Sequence, residues 1–215
     1  MTEFVRFLVV LDADSTLIED EVIELLADAA GSLALVAEVT EQAMRGEIDF
    51  AQSLRLRVKT LAGLSTDVFA EVGRLVRPTP GVQELIDGLH ARGSRIGVVS
   101  GGFHEVLDPL AAAFGLDHWR ANRLEVADGR LTGGLVGPVI DAAAKAAALR
   151  EWAALEGVAL PQTVAVGDGA NDLTMMRAAG LGIAFNAQPI VRAQADLALD
   201  TRDLSQVLPI LGLRG

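Results

Sequence analysis

Cysteine and tyrosine are both absent from the 215 residues. Without cysteine the chain has no disulfide, no zinc site built on thiolates and no Cys nucleophile, and without tyrosine it has no phenolic nucleophile. No basic segment precedes an apolar one near Met1, and no run approaches the ~20 apolar residues that cross a bilayer. We therefore expect a soluble, cytoplasmic protein.

Positive charge is scarce, because 18 Lys and Arg stand against 29 Asp and Glu and give a net charge of −11. Nucleic acids and anionic lipids attract basic surfaces, so this balance disfavours both as partners. A small anionic molecule could still bind where cations are concentrated locally. Hydrophobic residues make up 51% of the chain, enough for a substantial core. Composition leaves a monomer and a homodimer open.

Short, nearly continuous apolar segments alternate with helical patterns along the chain. Strands are predicted over residues 4–11, 95–99, 163–166, 182–185 and 196–199. Helices are predicted over residues 82–91, 104–114, 143–155, 173–179 and 204–211, several of them ending at Gly93, Gly115, Gly157 or Gly180. Strands that are apolar throughout are typical of a sheet covered on both faces. The pattern predicts an α/β fold with a doubly wound parallel sheet.

Two stretches depart from this alternation. Residues 19–77 contain no convincing strand, and their periodicity predicts four amphipathic helices at 21–30, 33–45, 50–61 and 66–76. We expect a core domain of residues 1–17 and 78–215 and an inserted helical cap of residues 18–77. Residues 123–136 hold an Asp128-Gly129 turn between two alternating runs, which predicts a β-hairpin.

Polar residues that could carry chemistry follow several of the predicted strands. Asp12 and Asp14 come directly after the first one. Burying two unpaired carboxylates costs free energy, so packing alone does not explain them. They could be a nucleophile or metal ligand beside a general acid, or a solvated loop with a capping Asp. Ser100 and Gly101 follow the strand at 95–99 and could bind an oxyanion or simply cap a helix.

Two further segments complete this set. Lys145 lies in an otherwise apolar helical segment and is either a surface lysine or a buried cation. The loop after the strand at 163–166 carries Asp168, Asn171 and Asp172, whose oxygens suit a hard cation such as Mg²⁺. Its spacing is not that of a calcium-binding EF-hand, and the chain has no Walker A motif and no Gly-x-Ser-x-Gly elbow around Ser100.

In combination these segments resemble the motifs of the haloacid dehalogenase-like (HAD) phosphatases. The match consists of Asp12, Asp14 and Thr16, then Ser100, then Lys145, then Gly167, Asp168 and Asp172. Longer strings resemble the phosphoserine phosphatase branch of this superfamily across nearly the whole chain. They are DADST at 12–16, SLRLRV at 53–58, VSGGF at 99–103, ANRL at 121–124 and VAVGDGAND at 164–172. The resemblance implies a Rossmann-like HAD core with a small helical cap.

The resemblance also implies a mechanism in which Asp12 is the nucleophile and forms an aspartyl-phosphate. Asp14 would act as general acid and then general base, while Ser100, Gly101 and Lys145 would bind the phosphoryl group. The implied ligands of Mg²⁺ are Asp12, the backbone carbonyl of Asp14, Asp168 and, through water, Asp172.

For the substrate, the resemblance implies O-phospho-L-serine, hydrolysed to serine and phosphate in serine biosynthesis. Glu21 would meet its ammonium group and Arg57 its carboxylate, with Met44 and Phe50 as apolar walls and Asn171 near the phosphate or a water.

Three alternatives remain open at this point. The chain could hydrolyse another small phosphate such as phosphohomoserine, or transfer the phosphoryl group between amino-acid hydroxyls. It could also be a catalytically inactive relative with a binding role, although such copies usually lose at least one catalytic residue and this sequence retains them all.

Overall fold

The structure is a computed structural model that describes residues 5–213. Its strands are β1 (Leu8–Leu11), β2 (Arg95–Phe103), β3 (His118–Ala127), β4 (Arg130–Val136), β5 (Thr163–Gly167), β6 (Leu181–Phe185) and β7 (Leu197–Leu199). Within the described range they form one sheet in the order β4-β3-β2-β1-β5-β6-β7. Neighbouring strands are parallel except β3 and β4, which form an antiparallel hairpin.

Helices precede and follow these strands in the order expected for a parallel sheet. They are α1 (Val22–Ala29), α2 (Leu33–Met44), α3 (Phe50–Lys59), α4 (Val68–Leu75), α5 (Val82–His90), α6 (His104–Phe114), α7 (Ala142–Leu155), α8 (Leu173–Ala178), α9 (Pro189–Arg192) and α10 (Val207–Ile210). Along the chain, helices α1 to α4 all follow β1 and precede β2. Among residues 5–213, no helix has the length and apolarity that crossing a membrane requires.

The central strands β1 and β5 are buried on both faces, as their apolar sequences predict. On β1, Val9 and Leu11 belong to one core cluster, whereas Leu8 and Val10 belong to another. The first cluster includes side chains of α5 and α6, and the second includes side chains of α7 and α8. This alternation follows from the two-residue period of a strand. The predicted doubly wound α/β fold is confirmed.

The two segments that connect helices α1 to α4 with the sheet run side by side. Glu19 N–H donates to Arg77 O at 2.9 Å, and Thr79 N–H donates to Leu17 O at 3.0 Å. The four helices therefore leave the sheet and return to it through a paired neck. The division into a core of residues 1–17 and 78–215 and a cap of residues 18–77 stays a prediction.

Strands β2 and β3 are both longer than the sequence pattern predicts. β2 runs on to Phe103, so Ser100 lies inside the strand and not beyond its end. β3 begins at His118, ahead of the predicted hairpin, because its first half pairs in parallel with β2 through Gly97 and His118. The sequence pattern ended this strand at residue 99 because glycines, here at 101 and 102, weaken strands and usually indicate turns.

Smaller differences occur at element ends. β1 begins at Leu8, and Phe4, where the predicted strand starts, lies outside the described residues. Gly180 is not a left-handed helix cap; a Cβ there would collide with the carbonyl oxygen of Pro161, so close approach explains the glycine. The predicted last helix is a 3₁₀ turn, Leu204–Gln206, followed by the short α10.

Candidate active site

The first predicted acid follows β1 directly and is held by the backbone around it. Asp12 is 5% exposed, its N–H donates to Val166 O at 2.9 Å, and its Oδ1 accepts from Ala13 N–H at 2.7 Å. The chain then turns sharply at Ser15, whose φ is +56°. Because β5 is the parallel neighbour of β1, Asp12 lies beside the loop that follows β5.

Lys145 is completely buried and bridges two carboxylates. Its Nζ lies 2.7 Å from Asp12 Oδ2 and 2.7 Å from Asp172 Oδ1. Burial alone would lower the pKa of Lys145, but the charges of the two carboxylates outweigh it and raise that pKa. The surface-lysine interpretation is therefore wrong, and α7 delivers a permanent positive charge to the site.

Three acids form a cluster whose geometry fits a metal ion. Oxygen atoms of Asp12, Asp168 and Asp172 all lie within 4.8 Å of one another. Burial and the Asp172 charge raise the pKa of Asp168 to about 6, and burial followed by the same charge raises the pKa of Asp12 well above its usual range. One lysine does not neutralise three carboxylates, so a hard divalent cation suits this oxygen donor set.

Two side-chain contacts orient the acids of this cluster. Thr16 Oγ1 donates to Asp168 Oδ1 at 3.2 Å. Asp172 Oδ1 meets Lys145, and its Oδ2 accepts from Gly169 N–H at 3.1 Å. Since both oxygens of Asp172 already have partners, contact with a metal through water fits this acid better than direct ligation.

Asp14 lines the cavity beside the cluster. Burial, followed by the charge of Glu21, raises the pKa of Asp14 to about 8, although Val22 N–H donates to its Oδ1 at 3.4 Å. A carboxyl group with this pKa holds a proton at neutral pH. Asp14 can therefore donate a proton to a leaving group.

Ser100 and the two glycines after it face Asp14 from β2. Ser100 is 1% exposed, and its Oγ accepts from Gly102 N–H at 2.8 Å. A Cβ at Gly101 would lie 2.8 Å from Phe50 Cζ, and one at Gly102 would lie 2.8 Å from Asp14 Oδ2. Only glycines allow helix α3 and the acid loop to approach β2 this closely.

These groups surround a cavity of about 150 Å³ between the strand ends and helices α1 and α3. Its walls include Asp12, Asp14, Glu21, Ile23, Phe50, Leu54, Arg57, Gly101, Gly102, Phe103, Asp168, Gly169 and Asn171. Four of these residues are acids, whereas Phe50, Ile23 and Leu54 are apolar. The volume accommodates only a small molecule.

Glu21 and Arg57 are the charged pair on the helical side of the cavity. Ser15 Oγ donates to Glu21 Oε1 at 2.7 Å, and burial raises the pKa of Glu21. Burial lowers the pKa of Arg57, and its Nε has no hydrogen-bond partner among residues 5–213. An unpaired buried guanidinium N–H is costly, so this position is prepared for an anionic group of a ligand.

Three predicted substrate contacts do not line this cavity. Ser100 and Lys145 are buried behind it, in contact with the lining residues Gly102 and Asp12. The third is Met44. It is 72% exposed at the end of α2 and lines a neighbouring, more open hollow together with Phe50, Arg57 and Asn171. Asn171 lines both spaces. The other predicted residues are brought together at the carboxyl ends of β1, β2 and β5.

Several residues with clear roles in this geometry were not predicted as site residues. Thr16 was visible as part of the first motif, but nothing in the sequence indicated that it contacts Asp168. Ile23 and Leu54 read as ordinary apolar positions of amphipathic helices. Asn122 contacts Gly101 from β3, a strand whose start the sequence pattern missed.

Comparison with known proteins gives consistent matches. The family model described as haloacid dehalogenase-like hydrolase matches residues 9–177. Phosphoserine phosphatase of Streptococcus thermophilus is 51% identical over 96% of both chains. A phosphoserine phosphatase of Streptomyces coelicolor is 56% identical over 96% of this chain, which spans 50% of that relative's length. A solved phospho-aspartyl intermediate analogue of phosphoserine phosphatase superposes with a TM-score of 0.90 at 42% identity, covering 96% of this chain and 99% of the other.

Proposed function

The chain belongs to the haloacid dehalogenase-like hydrolase family, and we propose that it hydrolyses O-phospho-L-serine to L-serine and phosphate through an aspartyl-phosphate. One observation carries the substrate assignment. A small cavity is lined both by Asp12, which pairs with the buried Lys145, and by the oppositely charged Glu21 and Arg57. A phosphorylated amino acid has the matching groups, a phosphate at one end and a zwitterionic head at the other.

In the first step, a carboxylate oxygen of Asp12 attacks phosphorus, and the bond from phosphorus to the serine oxygen breaks. The proton held by Asp14 moves to that serine oxygen, so neutral serine leaves. Lys145, Ser100 and the Gly101 N–H stabilise the phosphoryl oxygens. In the second step, water attacks phosphorus, its proton moves to Asp14, and the bond to Asp12 breaks to release phosphate.

A divalent metal ion fits the acid cluster, and we propose Mg²⁺. Asp12, Asp168 and the backbone carbonyl of Asp14 would hold it directly, and Asp172 through water. When bound, the ion offsets the repulsion between a carboxylate and a phosphate dianion. The oxygen-only donor set supports this choice over softer metals, which prefer sulfur or imidazole ligands.

The amino-acid end of the substrate meets helices α1 and α3. Glu21 would accept from the ammonium group, and Arg57 would donate to the carboxylate, which supplies a partner for its free Nε. Phe50 would cover the short carbon chain, and Met44 would join it if α2 moved towards the sheet. Asn171, at the boundary of the two spaces, would contact phosphate or water.

Turnover measurements on a small panel of phosphates test this function. We expect rapid phosphate release from O-phospho-L-serine with Mg²⁺, and none with a chelator. O-phosphohomoserine and sugar phosphates should have a lower kcat/KM, because they overfill the cavity or lack the zwitterionic head. Comparable rates on sugar phosphates would contradict the substrate assignment, and serine-to-serine exchange without net hydrolysis would identify a phosphotransferase.

Asp12→Asn tests the nucleophile. The variant should lose phosphate release entirely, since an amide cannot form the aspartyl-phosphate. Asp28→Asn, on the exposed side of α1, removes the same charge away from the site and should leave kcat unchanged. Near-normal turnover in Asp12→Asn would overturn the assignment.

A further inference from the structure

The pairing of β2 with β3 is interrupted beside the cavity. Val99 pairs with Arg120 and Phe103 pairs with Asn122, so residues 100–102 of β2 face Ala121 alone. Extra residues in one strand form a bulge and leave backbone polar groups without their usual ladder partners. The interrupted residues are Ser100, Gly101 and Gly102, and the proposed mechanism places the first two of them at the phosphoryl group.

The side chain of Asn122 replaces the missing ladder bonds. Its Nδ2 donates to Gly101 O at 2.8 Å and lies 3.3 Å from Gly102 O, and its Oδ1 accepts from Ile140 N–H at 2.8 Å. Asn122 is only 3% exposed. A buried amide that satisfies two carbonyls and one N–H fixes all the segments it joins.

These contacts determine the direction of one peptide group. Gly101 C=O and Gly102 N–H belong to the same planar trans unit, so they point in opposite directions. With the carbonyl held by Asn122, the N–H is aimed at Ser100 Oγ, from which it lies 2.8 Å away. Because Ser100 Oγ accepts this bond, its own proton remains free to donate to another acceptor.

The third contact of Asn122 reaches the helix that supplies the buried lysine. Ile140 directly precedes Asp141, whose side chain caps α7 by accepting from Ala144 N–H at 2.8 Å. Lys145 lies one turn further on in α7. Asn122 therefore ties the Ser100 bulge to the start of the helix that carries the second phosphoryl-binding side chain.

We propose that Asn122 is a positioning residue, which acts through the Gly101–Gly102 peptide to orient the Ser100 hydroxyl towards the phosphoryl group. This role rests on the proposed function, since it presumes that Ser100 binds an oxyanion. Asn122 lines none of the cavity itself and is not expected to touch the substrate.

A double-mutant cycle tests the proposal. Asn122→Ala should lower kcat by about 10- to 100-fold, the size typical of residues that orient ligand-binding groups. In a protein that already carries Ser100→Ala, Asn122→Ala should lower kcat by less than about threefold, because the hydroxyl that Asn122 orients is already gone. Leu124→Ala, a buried change in the same strand, should lower the unfolding midpoint but keep kcat per folded molecule.

Asn122→Asp provides a second variant of nearly the same shape. It keeps the acceptor for Ile140 but sets a carboxylate against two carbonyl oxygens, so it should also lower kcat. The proposal would be overturned if Asn122→Ala lowered kcat by the same factor in the wild type and in Ser100→Ala. Failure of both variants to fold would also overturn it, since Asn122 would then serve the fold and not the site.

Binding of inorganic phosphate separates this proposal from the proposed function. Titration calorimetry with Mg²⁺ present needs no turnover, and phosphate should bind about tenfold more weakly to Asn122→Ala than to the wild type. If the wild type does not hydrolyse O-phospho-L-serine, this difference still tests Asn122. Equal phosphate affinity in both proteins would contradict the positioning role.

Discussion

At the scale of single residues, the site depends on one buried positive charge. Lys145 is wholly buried, and each of its two carboxylate partners lies 2.7 Å away. Such a group stabilises the fold only while both sides of the interaction are present, because either charge alone would be desolvated without compensation. The lysine would therefore serve stability and the proposed chemistry through the same contacts.

Lys145→Met should destabilise the metal-free protein by about 3–5 kcal/mol at neutral pH, since it leaves Asp12 and Asp172 buried beside each other without a cation. Urea denaturation with a chelator present measures this loss. Lys59→Met, on the exposed side of α3, is the matched control and should change stability by less than about 0.5 kcal/mol. A loss below about 1 kcal/mol for Lys145→Met would show that the carboxylates tolerate its absence.

Glycines of the site act through the space they leave free. A methyl group at Gly102 would lie 2.8 Å from Asp14 Oδ2 and 3.0 Å from Ser100 Oγ, so two groups of the proposed mechanism would have to shift. Small displacements of such groups have large kinetic effects, because proximity and alignment supply much of the rate.

Gly102→Ala should therefore lower kcat by at least about tenfold while the protein still folds. Gly73→Ala is the control, because Gly73 lies within α4 and a methyl group there would meet no other atom within 4 Å. That change should stabilise the fold by about 0.5–1 kcal/mol and leave kcat unchanged. Steady-state kinetics and urea denaturation of both variants decide the matter, and unchanged kcat in Gly102→Ala would refute the steric argument.

At the scale of elements, the β3–β4 hairpin holds the loop between α3 and α4. Gly63 N–H donates to Leu131 O at 2.8 Å, Leu131 N–H donates to Leu64 O at 2.9 Å, and Thr66 N–H donates to Gly129 O at 3.0 Å. The hairpin thereby anchors one end of the helical insertion to the sheet. Any movement of α2 and the start of α3 over the cavity would pivot about this anchor.

Gly129→Ala should loosen the anchor, because Gly129 has φ +72° and a side chain there costs about 1 kcal/mol. Hydrogen exchange of the Thr66 amide should accelerate by roughly fivefold, in line with that free energy. Gly137→Ala introduces similar strain, at φ +79°, beyond the end of β4 and away from the loop. Equal exchange rates at Thr66 in the two variants would contradict the anchoring role.

At the scale of the whole molecule, a net charge of −11 surrounds a site that binds an anion. Long-range attraction does not explain the binding of an anion by a negatively charged protein, so positive groups close to the site must provide the attraction. Arg57 lines the cavity, Lys145 lies behind it 2.7 Å from Asp12, and a divalent cation would add more positive charge at the acid cluster. Binding of the cation and of protons to the same carboxylates must therefore compete.

The stabilising effect of Mg²⁺ should shrink as the pH falls. Asp168 has a pKa raised to about 6 from 3.8, so the metal-free folded state binds a proton between these values that the unfolded state does not. Folded, metal-free protein therefore gains stability as the pH falls through about 6, while Mg²⁺ must displace that proton. The rise in Tm caused by Mg²⁺ should be smaller near pH 5 than near pH 7.5.

Thermal unfolding with Mg²⁺ and with a chelator measures this difference at each pH. Asp168→Asn is the control, because it removes the titrating group and should remove most of the Mg²⁺ effect at both pH values. A Tm shift that stays the same from about pH 7.5 to 5 would rule out competition at the acid cluster.

Local pattern by itself determined the alternation of strands and helices, and with it the α/β class. The two-sided burial of β1 follows from its continuous apolar run, and helices α1 to α4 follow from the period of their apolar residues. The spacing of Asp12, Asp14 and Asp168 after predicted strands also placed them at one sheet edge, because parallel strands end together.

Only the tertiary structure decided how these residues act on one another. Whether Lys145 was a surface or a buried charge depended on which face of α7 meets the sheet, and its pairing with Asp172 spans distant segments. Burial raises the pKa of Asp14, with the charge of Glu21 adding to the effect, and the bulge at Ser100 is held by Asn122 in a neighbouring strand. Sequence pattern reports local periodicity, whereas burial, charge coupling and strand register arise from contacts between segments far apart in the chain.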